Sequence, residues 1–202
     1  MSELIQQPPG ATPLDDISGL HQPHITTLDQ LNAAEQLSIQ QAGDWVVKSR
    51  NTKSMFTVAW LTRLHQRMYR DVWSWAGEYR RTVTNIGVPP HEVPMRLAIV
   101  AADFNTWFHS NPATLDVINF AANYHHRLVW VHPFPNGNGR WSRMAVDVVF
   151  LRLLKRTPLN WGEGDLLRAS DERARYVEAL READRGSIQP LVEYLIALNG
   201  NA

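Results

Sequence analysis

The sequence predicts a mainly α fold, a helical bundle with one short β-hairpin flap. Apolar residues recur three and four apart along most of the chain, the spacing of helices with one buried face. Residues 78 to 93, EYRRTVTNIGVPPHEV, break that rhythm. Their Val, Thr and Tyr content, followed by Asn85, Gly87, Pro89 and Pro90, reads as a short hairpin or extended flap. With 202 residues and 44% hydrophobic content, the chain has the material for one large domain with a sizeable core.

The elements follow in order. Residues 1–26 carry Pro8, Pro9, Gly10, Pro13, Gly19 and Pro23 and read as an extended, Pro-rich N-terminal arm, because proline removes a helix donor and fixes φ. The helical domain spans residues 27–202. Its first helix follows Thr27, a candidate N-cap, and puts Leu28, Leu31, Ala34, Leu37 and Gln41 on one face. A second repeats through Phe56, Trp60, Leu64 and Met68. Beyond the flap, Leu97, Val100, Ala101, Phe104 and Phe108 mark a third. The fourth, TLDVINFAANYHHRLVWVH, takes Asn111 or Thr114 as its cap. The strongly apolar RWSRMAVDVVFLRLLKR is placed centrally. SDERARYVEALREADRG opens on Ser170 with capping-box-like spacing to Glu172 and Arg173 and stops at Gly186, and IQPLVEYLIALNG closes the chain. The alternating charges from Asp171 to Arg185 read as a solvated face.

Composition disfavours several function classes. Lys and Arg number 20, as do Asp and Glu, so the chain lacks the basic surplus of a protein that neutralises nucleic-acid phosphates. There is no cysteine, hence no disulfide and no cysteine–zinc site, which suits a reducing cytoplasm. The start, MSELIQQPPGATPLDD, has neither the basic nor the apolar region of a signal peptide. Apolar runs such as LAIVAA are far shorter than the roughly 20 residues that span a bilayer. The expectation is a cytoplasmic protein without a membrane segment.

The chemistry concentrates in HPFPNGNGRWSR, residues 132 to 143. Pro133 and Pro135 end the preceding helix. The Gly137-Asn138-Gly139 turn permits positive φ and close approach of a ligand, then leads into a helix N-terminus. There the N–H groups and the helix dipole favour an anion. Arg140 and Arg143, three apart, put two guanidinium groups on one face at that end, which suits a di- or triphosphate. No Gly-Lys-Ser/Thr is present, so this is not a P-loop. His132 stands at the loop entrance, and an imidazole with an ordinary pKa of about 6.5 can serve as a general base. A base beside a phosphate cradle points to attack of a hydroxyl on phosphorus. The plainer alternative is a sharp inter-helix turn with a capping histidine and solvated arginines.

The stretch resembles the Fic/Doc family motif, H-x-F-x-[DE]-G-N-G-R-x-x-R, through His132, Phe134, Gly137, Asn138, Gly139, Arg140 and Arg143. WSWAGEYRRTVTNIG is similar to the family's segment leading into its target-docking flap, and YVEALREADRGSIQPLVEYL to its closing helices; the likeness runs from about residue 27 to residue 198. The subgroup it most resembles is the mobile-element-associated one called mobile mystery protein B. The resemblance implies a Fic fold that moves AMP from ATP onto a Ser, Thr or Tyr hydroxyl of a target protein. His132 would take the hydroxyl proton and Phe134 would anchor the loop. Gly137, Asn138 and Gly139 would cradle phosphates that Arg140 and Arg143 hold. Val83, Thr84, Asn85, Ile86 and Gly87 would form the flap that aligns the target. It also implies Mg²⁺, or Mn²⁺, with the nucleotide, and an antitoxin or other regulatory partner.

Two positions depart from the family. Asn136 stands where the family has a metal-binding Asp or Glu. Losing one unit charge about 4 Å from another forfeits roughly 4 kcal/mol of gross Coulomb energy at an effective dielectric near 20. A silent nucleotide- or partner-binding module, or a Fic enzyme with another phosphate-containing donor, are therefore the alternatives. The family's inhibitory helix, [ST]-x-x-x-E-[GN], has a glutamate that pairs with the second motif arginine. Glu35 is the internal candidate, but Leu31 and Gln36 occupy the flanking positions, which favours reading it as an ordinary surface glutamate. Zinc binding by His125, His126 and His132 is disfavoured, since no H-E-x-x-H occurs. Trp73, Trp75 and Trp107 read as core residues before nucleobase platforms.

Overall fold

The computed structural model describes residues 19–49, 52, 54–110, 115–162 and 170–200. Within them the chain is helical: α1 (Leu28–Lys48), α2 (Val58–Tyr69), a 3-10 turn (Pro90–Glu92), α3 (Val93–Ser110), α4 (Val117–Val131), α5 (Asn138–Val148) with a π-helical continuation (Val149–Leu154), α6 (Asp171–Asp184) and α7 (Gln189–Asn199). Residues 1–18 of the expected arm lie outside the described residues. The arm's end is stitched to the turn after α2. His21 N donates to Val72 O at 2.9 Å and Ser74 N to Gly19 O at 2.8 Å, around a single Leu20–Trp73 bridge.

Thr27 caps α1 as expected, and Gln30 completes a capping box by accepting from the Thr27 N–H. The buried face of α1 differs from the expected one. It runs through Leu31, Glu35, Ser38, Ala42 and Val46, while Leu37 is 58% exposed and Gln41 is exposed. Glu35 takes an inward position because it meets Arg140 and Trp73 near the α4–α5 turn, a long-range reason that periodicity cannot register. In α2 and α3 the expected apolar residues are all buried. Asp116 caps α4, its side chain accepting from Asn119 N at 2.9 Å; the expected caps Asn111 and Thr114 lie outside the described residues. Ser170 caps α6 by accepting from Arg173 N, and Glu178, Glu182, Arg181 and Arg185 form exposed ion pairs along it.

The flap carries no β-ladder among the described residues. Pro89 and Pro90 bring no N–H donors, and Gly87 adopts φ 108°. The carbonyls of Thr82 and Val88 accept from the Arg80 guanidinium, which takes the place of a cross-strand partner. The segment is an extended flap, with Val83 83% exposed at its tip.

Helix α4 is the axis of the molecule and touches α3, α5, α6 and α7. Phe56, Phe104, Phe108, Phe120 and Tyr124 interlock on one side of it. Of the tryptophans, Trp73 is fully buried, whereas Trp107 packs on Phe104 and Phe120 with one edge in solvent. The π-helical continuation of α5 sends Arg152 to the last carbonyls of α1, at Val46 (3.0 Å), Val47 and Ser49. A cation at a helix C-terminus is favourable, and this one fixes the helix that carries Glu35.

Three histidines lie inside this packing. His65 of α2 is stacked between Phe134 and Tyr69. It accepts from Gly77 N at Nδ1 (3.0 Å), so its Nε2 carries the proton toward Asn136 O at 3.1 Å. His125 of α4 lies 2.7 Å from the Tyr176 hydroxyl and against Trp161. His126 instead pairs with Asp184, and no metal-holding cluster of three His, Asp or Glu occurs among the described residues. Burial lowers the pKa of His65 to about 3, despite its backbone bond to Asn136 and helped by the Arg140 charge. Burial, with the Arg143 charge, takes His125 well below 6.5, and burial, with the Arg80 charge, takes His132 to about 4.

The folded state thus holds all three neutral, whereas the unfolded chain protonates them near pH 6.5. Their contribution is complete above about pH 6.5 and is lost as pH falls toward about 4 for His132 and about 3 for His65, each unit of separation corresponding to about 1.4 kcal/mol. Imidazole NMR is expected to show three of the eight histidines still neutral at about pH 5 in the folded protein, with the unfolding free energy from urea titration falling between about pH 6.5 and pH 4. Titration of all eight above about pH 5.5 in the folded protein contradicts the packing described.

Candidate active site

The turn from α4 to α5 brings His132, Phe134 and residues 136–143 together as the sequence implies. His132 is the C-cap of α4, at φ 50° and ψ 60°, a left-handed conformation unusual for a side-chain-bearing residue. Its carbonyl accepts from Arg80 Nε at 2.6 Å, and Pro133 O accepts from Arg80 N at 2.9 Å. The imidazole is buried, 3% exposed, and neutral at ordinary pH. Gly87 of the flap lies directly over it. A Cβ built on Gly87 would fall 2.5 Å from His132 Cβ, and φ 108° independently calls for glycine.

Phe134 is fully buried, stacked on His65 at 3.7 Å between ring centroids and edge-on to Trp141. Asn138 braces this anchor. Its amide oxygen accepts from Phe134 N at 3.0 Å and its amide nitrogen donates to Phe134 O at 2.8 Å. The Asn138 side chain therefore turns into the loop and away from any phosphate, and only its backbone N–H remains for the expected cradle. Gly137 caps α5 at φ 77° without a side chain. A Cβ there would fall 2.5 Å from Tyr69 Cζ, so position 137 admits no other residue. Gly139 is different, since a Cβ would meet Arg143 at an ordinary 3.6 Å. The N-terminal N–H groups of α5 lie at the loop mouth, where helix geometry gives them no intrahelical acceptor.

The two arginines go to different partners, although both project from the first turns of α5. Arg140 Nη2 lies 2.6 Å from Glu35 Oε2 and over the Tyr69 ring. The other Glu35 oxygen accepts from Trp73 Nε1 at 2.7 Å. Glu35 is 3% exposed, so the surface reading of it is overturned. Its arginine is also the first of the motif, not the second. Arg143 is buried against α6, with Nη1 3.5 Å from the Tyr176 hydroxyl and its guanidinium over that ring. Tyr176 in turn meets His125, so the second arginine is placed by a Tyr–His pair. Burial raises the Tyr69 and Tyr176 hydroxyl pKa values, which keeps both phenols neutral.

Asn136 lies at the loop edge with its amide oxygen 2.5 Å from the Gly137 N–H. Asn136 offers a divalent cation a neutral amide oxygen already bonded to an N–H, which does not make a resident magnesium site. The flap residues Val83, Asn85, Ile86 and Gly87 are exposed, and Thr84 is half-buried, bonding Ile86 O at 2.6 Å. The expected flap thus borders the histidine. Tyr69, Arg80 and Tyr176 complete the site without having been marked by the sequence, and Trp73, read there as a core residue, holds Glu35. Each lies in an ordinary helical or turn pattern, and the one available signal was the paired arginine in EYRR at the start of the flap.

Known proteins resemble this chain in sequence and in fold. Residues 55–150 match the model of the Fic/DOC family. Proteins named protein adenylyltransferase Fic from Drosophila melanogaster and Drosophila grimshawi are 30% and 31% identical over 173 residues, 84% of this chain and 33% of each relative. The chain spans about a third of the length of these curated relatives. Fic-1 from C. elegans superposes with a TM-score of 0.69 at 26% identity, covering 83% of this chain and 48% of that one. The BepC effector from Bartonella tribocorum, solved with bound AMPPNP, has the same fold, with a TM-score of 0.64 at 18% identity over 86% of this chain and 88% of its own. The segment that matches the Fic/DOC family model runs from Met55, at the approach to α2, to Phe150, in the π-helical continuation of α5, and contains the whole α4–α5 turn.

Proposed function

We infer that this protein is an adenylyltransferase that moves AMP from ATP to a Ser, Thr or Tyr hydroxyl of a target protein. One observation carries the reading: a neutral buried imidazole, His132, adjoins a glycine turn that opens onto the N-terminus of α5 and its two arginines. The names of the Drosophila relatives and the AMPPNP in the Bartonella structure support ATP as the substrate. In the reaction the target oxygen attacks the α-phosphorus. The bond from that phosphorus to the α–β bridging oxygen breaks, pyrophosphate leaves, and the hydroxyl proton passes to His132. Backbone N–H groups of the turn and α5 N-terminus hold phosphate oxygens, Arg140 and Arg143 meet the β- and γ-phosphates, and Val83 to Gly87 align the target strand. Magnesium or manganese would enter with the nucleotide and offset the charge of its phosphates. The reducing-compartment composition supports a cytoplasmic setting.

A second reading, a silent nucleotide- or partner-binding module, draws on Asn136 and on the Glu35–Arg140 pair, which occupies one of the two arginines. A regulatory or antitoxin-like partner acting at α1 would be the means of freeing Arg140 for phosphate. ATP labelled at the α-phosphate, incubated with lysate and Mg²⁺ or Mn²⁺, separates the readings. Labelled protein is expected from wild type, and label reduced by about 10²-fold or more from His132→Ala. Transfer of γ-label alone makes the donor assignment wrong, and nucleotide binding with no transfer assigns the module.

If the missing carboxylate limits metal–nucleotide binding, Asn136→Asp raises transfer several-fold at low Mg²⁺, on the order of the tenfold that 1.4 kcal/mol represents. The gain shrinks as Mg²⁺ saturates. Equal rates for mutant and wild type across the whole Mg²⁺ range clear Asn136 of that role.

Glu35→Gly releases Arg140 from its carboxylate. Restraint by Glu35 predicts tighter ATP binding and about tenfold or more transfer. ATP affinity and transfer both unchanged reduce Glu35 to a structural partner of Trp73.

A further inference from the structure

Arg80 has no place in the chemistry above, yet it is among the most deeply placed charged residues, 3% exposed. It is also bonded at once to both ends of the flap and to the histidine. Its Nη1 donates to Thr82 O at 2.9 Å and its Nη2 to Val88 O, the residues that bracket Val83–Gly87. Its Nε donates to His132 O at 2.6 Å, and its backbone N to Pro133 O at 2.9 Å. A guanidinium is planar and its donors are fixed relative to one another. Three carbonyls held by one such plane are held relative to each other. Gly87 completes the unit, since a Cβ on it would come within 2.8 Å of Arg80 Nη2 and 2.5 Å of His132 Cβ.

We propose that Arg80 is a positioning residue that sets the register between the target-docking flap and His132, so that a strand laid on the flap presents its hydroxyl where the imidazole can reach it. This deepens the adenylyltransferase reading and rests on it for its catalytic consequence. Arg80 touches neither nucleotide nor target; it acts through the His132 carbonyl and through the two flap ends. Lysine cannot reproduce it, because an ammonium on a flexible stem has no fixed fork. A displacement on the order of 1 Å between base and hydroxyl is enough to cost about 10²-fold in rate. The remote phosphate contacts, made by α5, stay as they are.

The test uses the full chain with Arg80→Met and Arg80→Lys, each checked for a cooperative melt, with transfer of α-labelled AMP to the protein itself and to lysate proteins. The expected result is KM for ATP and ATP affinity within about twofold of wild type while kcat falls about tenfold or more. A second readout needs no activity. Arg81 is exposed at the base of the flap, and trypsin cleavage after it, followed by mass, is expected to speed up about tenfold in both variants as the flap ends come loose. Unchanged kcat in a folded variant overturns the proposal, as does loss of kcat in step with loss of ATP affinity, which is the mark of general damage. If wild type itself transfers nothing, the adenylyltransferase reading fails separately. The register role then stands on accelerated cleavage at Arg81 and falls with cleavage at the wild-type rate.

Discussion

Everything at the site depends on how the chain leaves α4 and enters α5. Between Val131 and Asn138 it must reverse, bury an aromatic ring and present a histidine. A left-handed conformation at a side-chain-bearing residue costs about 1–2 kcal/mol. His132 is nonetheless held there, because the turn is over-determined on both sides. Arg80 takes the carbonyls of residues 132 and 133 through hydrogen bonds from its side chain and backbone. Downstream, Asn138 bonds both the N–H and the C=O of Phe134, and Phe134 is stacked on His65. His65 closes the circuit by donating to Asn136 O. The functional loop is therefore a rigid part of the core.

The buried charges around this turn are better understood as geometry than as stability. Replacing a buried ion pair by apolar residues is often neutral or stabilising, whereas removing one partner costs about 3–5 kcal/mol. Glu35 and Arg140 fit that asymmetry, since each carboxylate oxygen has its own donor and α1 is pinned at its far end by Arg152. On the other flank, Arg143 meets a neutral phenol backed by a neutral imidazole, an arrangement that orients the guanidinium. One motif arginine is thus countered by α1 and the other directed by α6.

Much of this was legible in the chain. The caps Thr27 and Ser170 follow from short-range donor–acceptor chemistry, and the apolar faces of α2 and α3 from periodicity alone. His132, Phe134 and the glycine turn declare themselves because a histidine, an aromatic residue and two glycines fall within a few residues of one turn. Where the reading failed, the missing information was long-range. Leu37 was expected inside and Glu35 outside, yet α1 turns its polar residue inward because Arg140 and Trp73 wait there, from segments far along the chain. The expected hairpin is an extended flap because a side-chain guanidinium took the carbonyls that a ladder would have used.

Residue type and spacing settle the helices, the turn and the chemical kind of each group in it, since these depend on neighbours within a few residues. They do not settle which partner each charge meets. Arg140 and Arg143 look equivalent three residues apart, but successive helix positions rotate away from one another, and each guanidinium answers to whichever helix packs on its side. Only the packed fold places Glu35 on one, Tyr176 by the other, and Arg80 beneath the histidine, because these contacts join segments that local chemistry leaves independent.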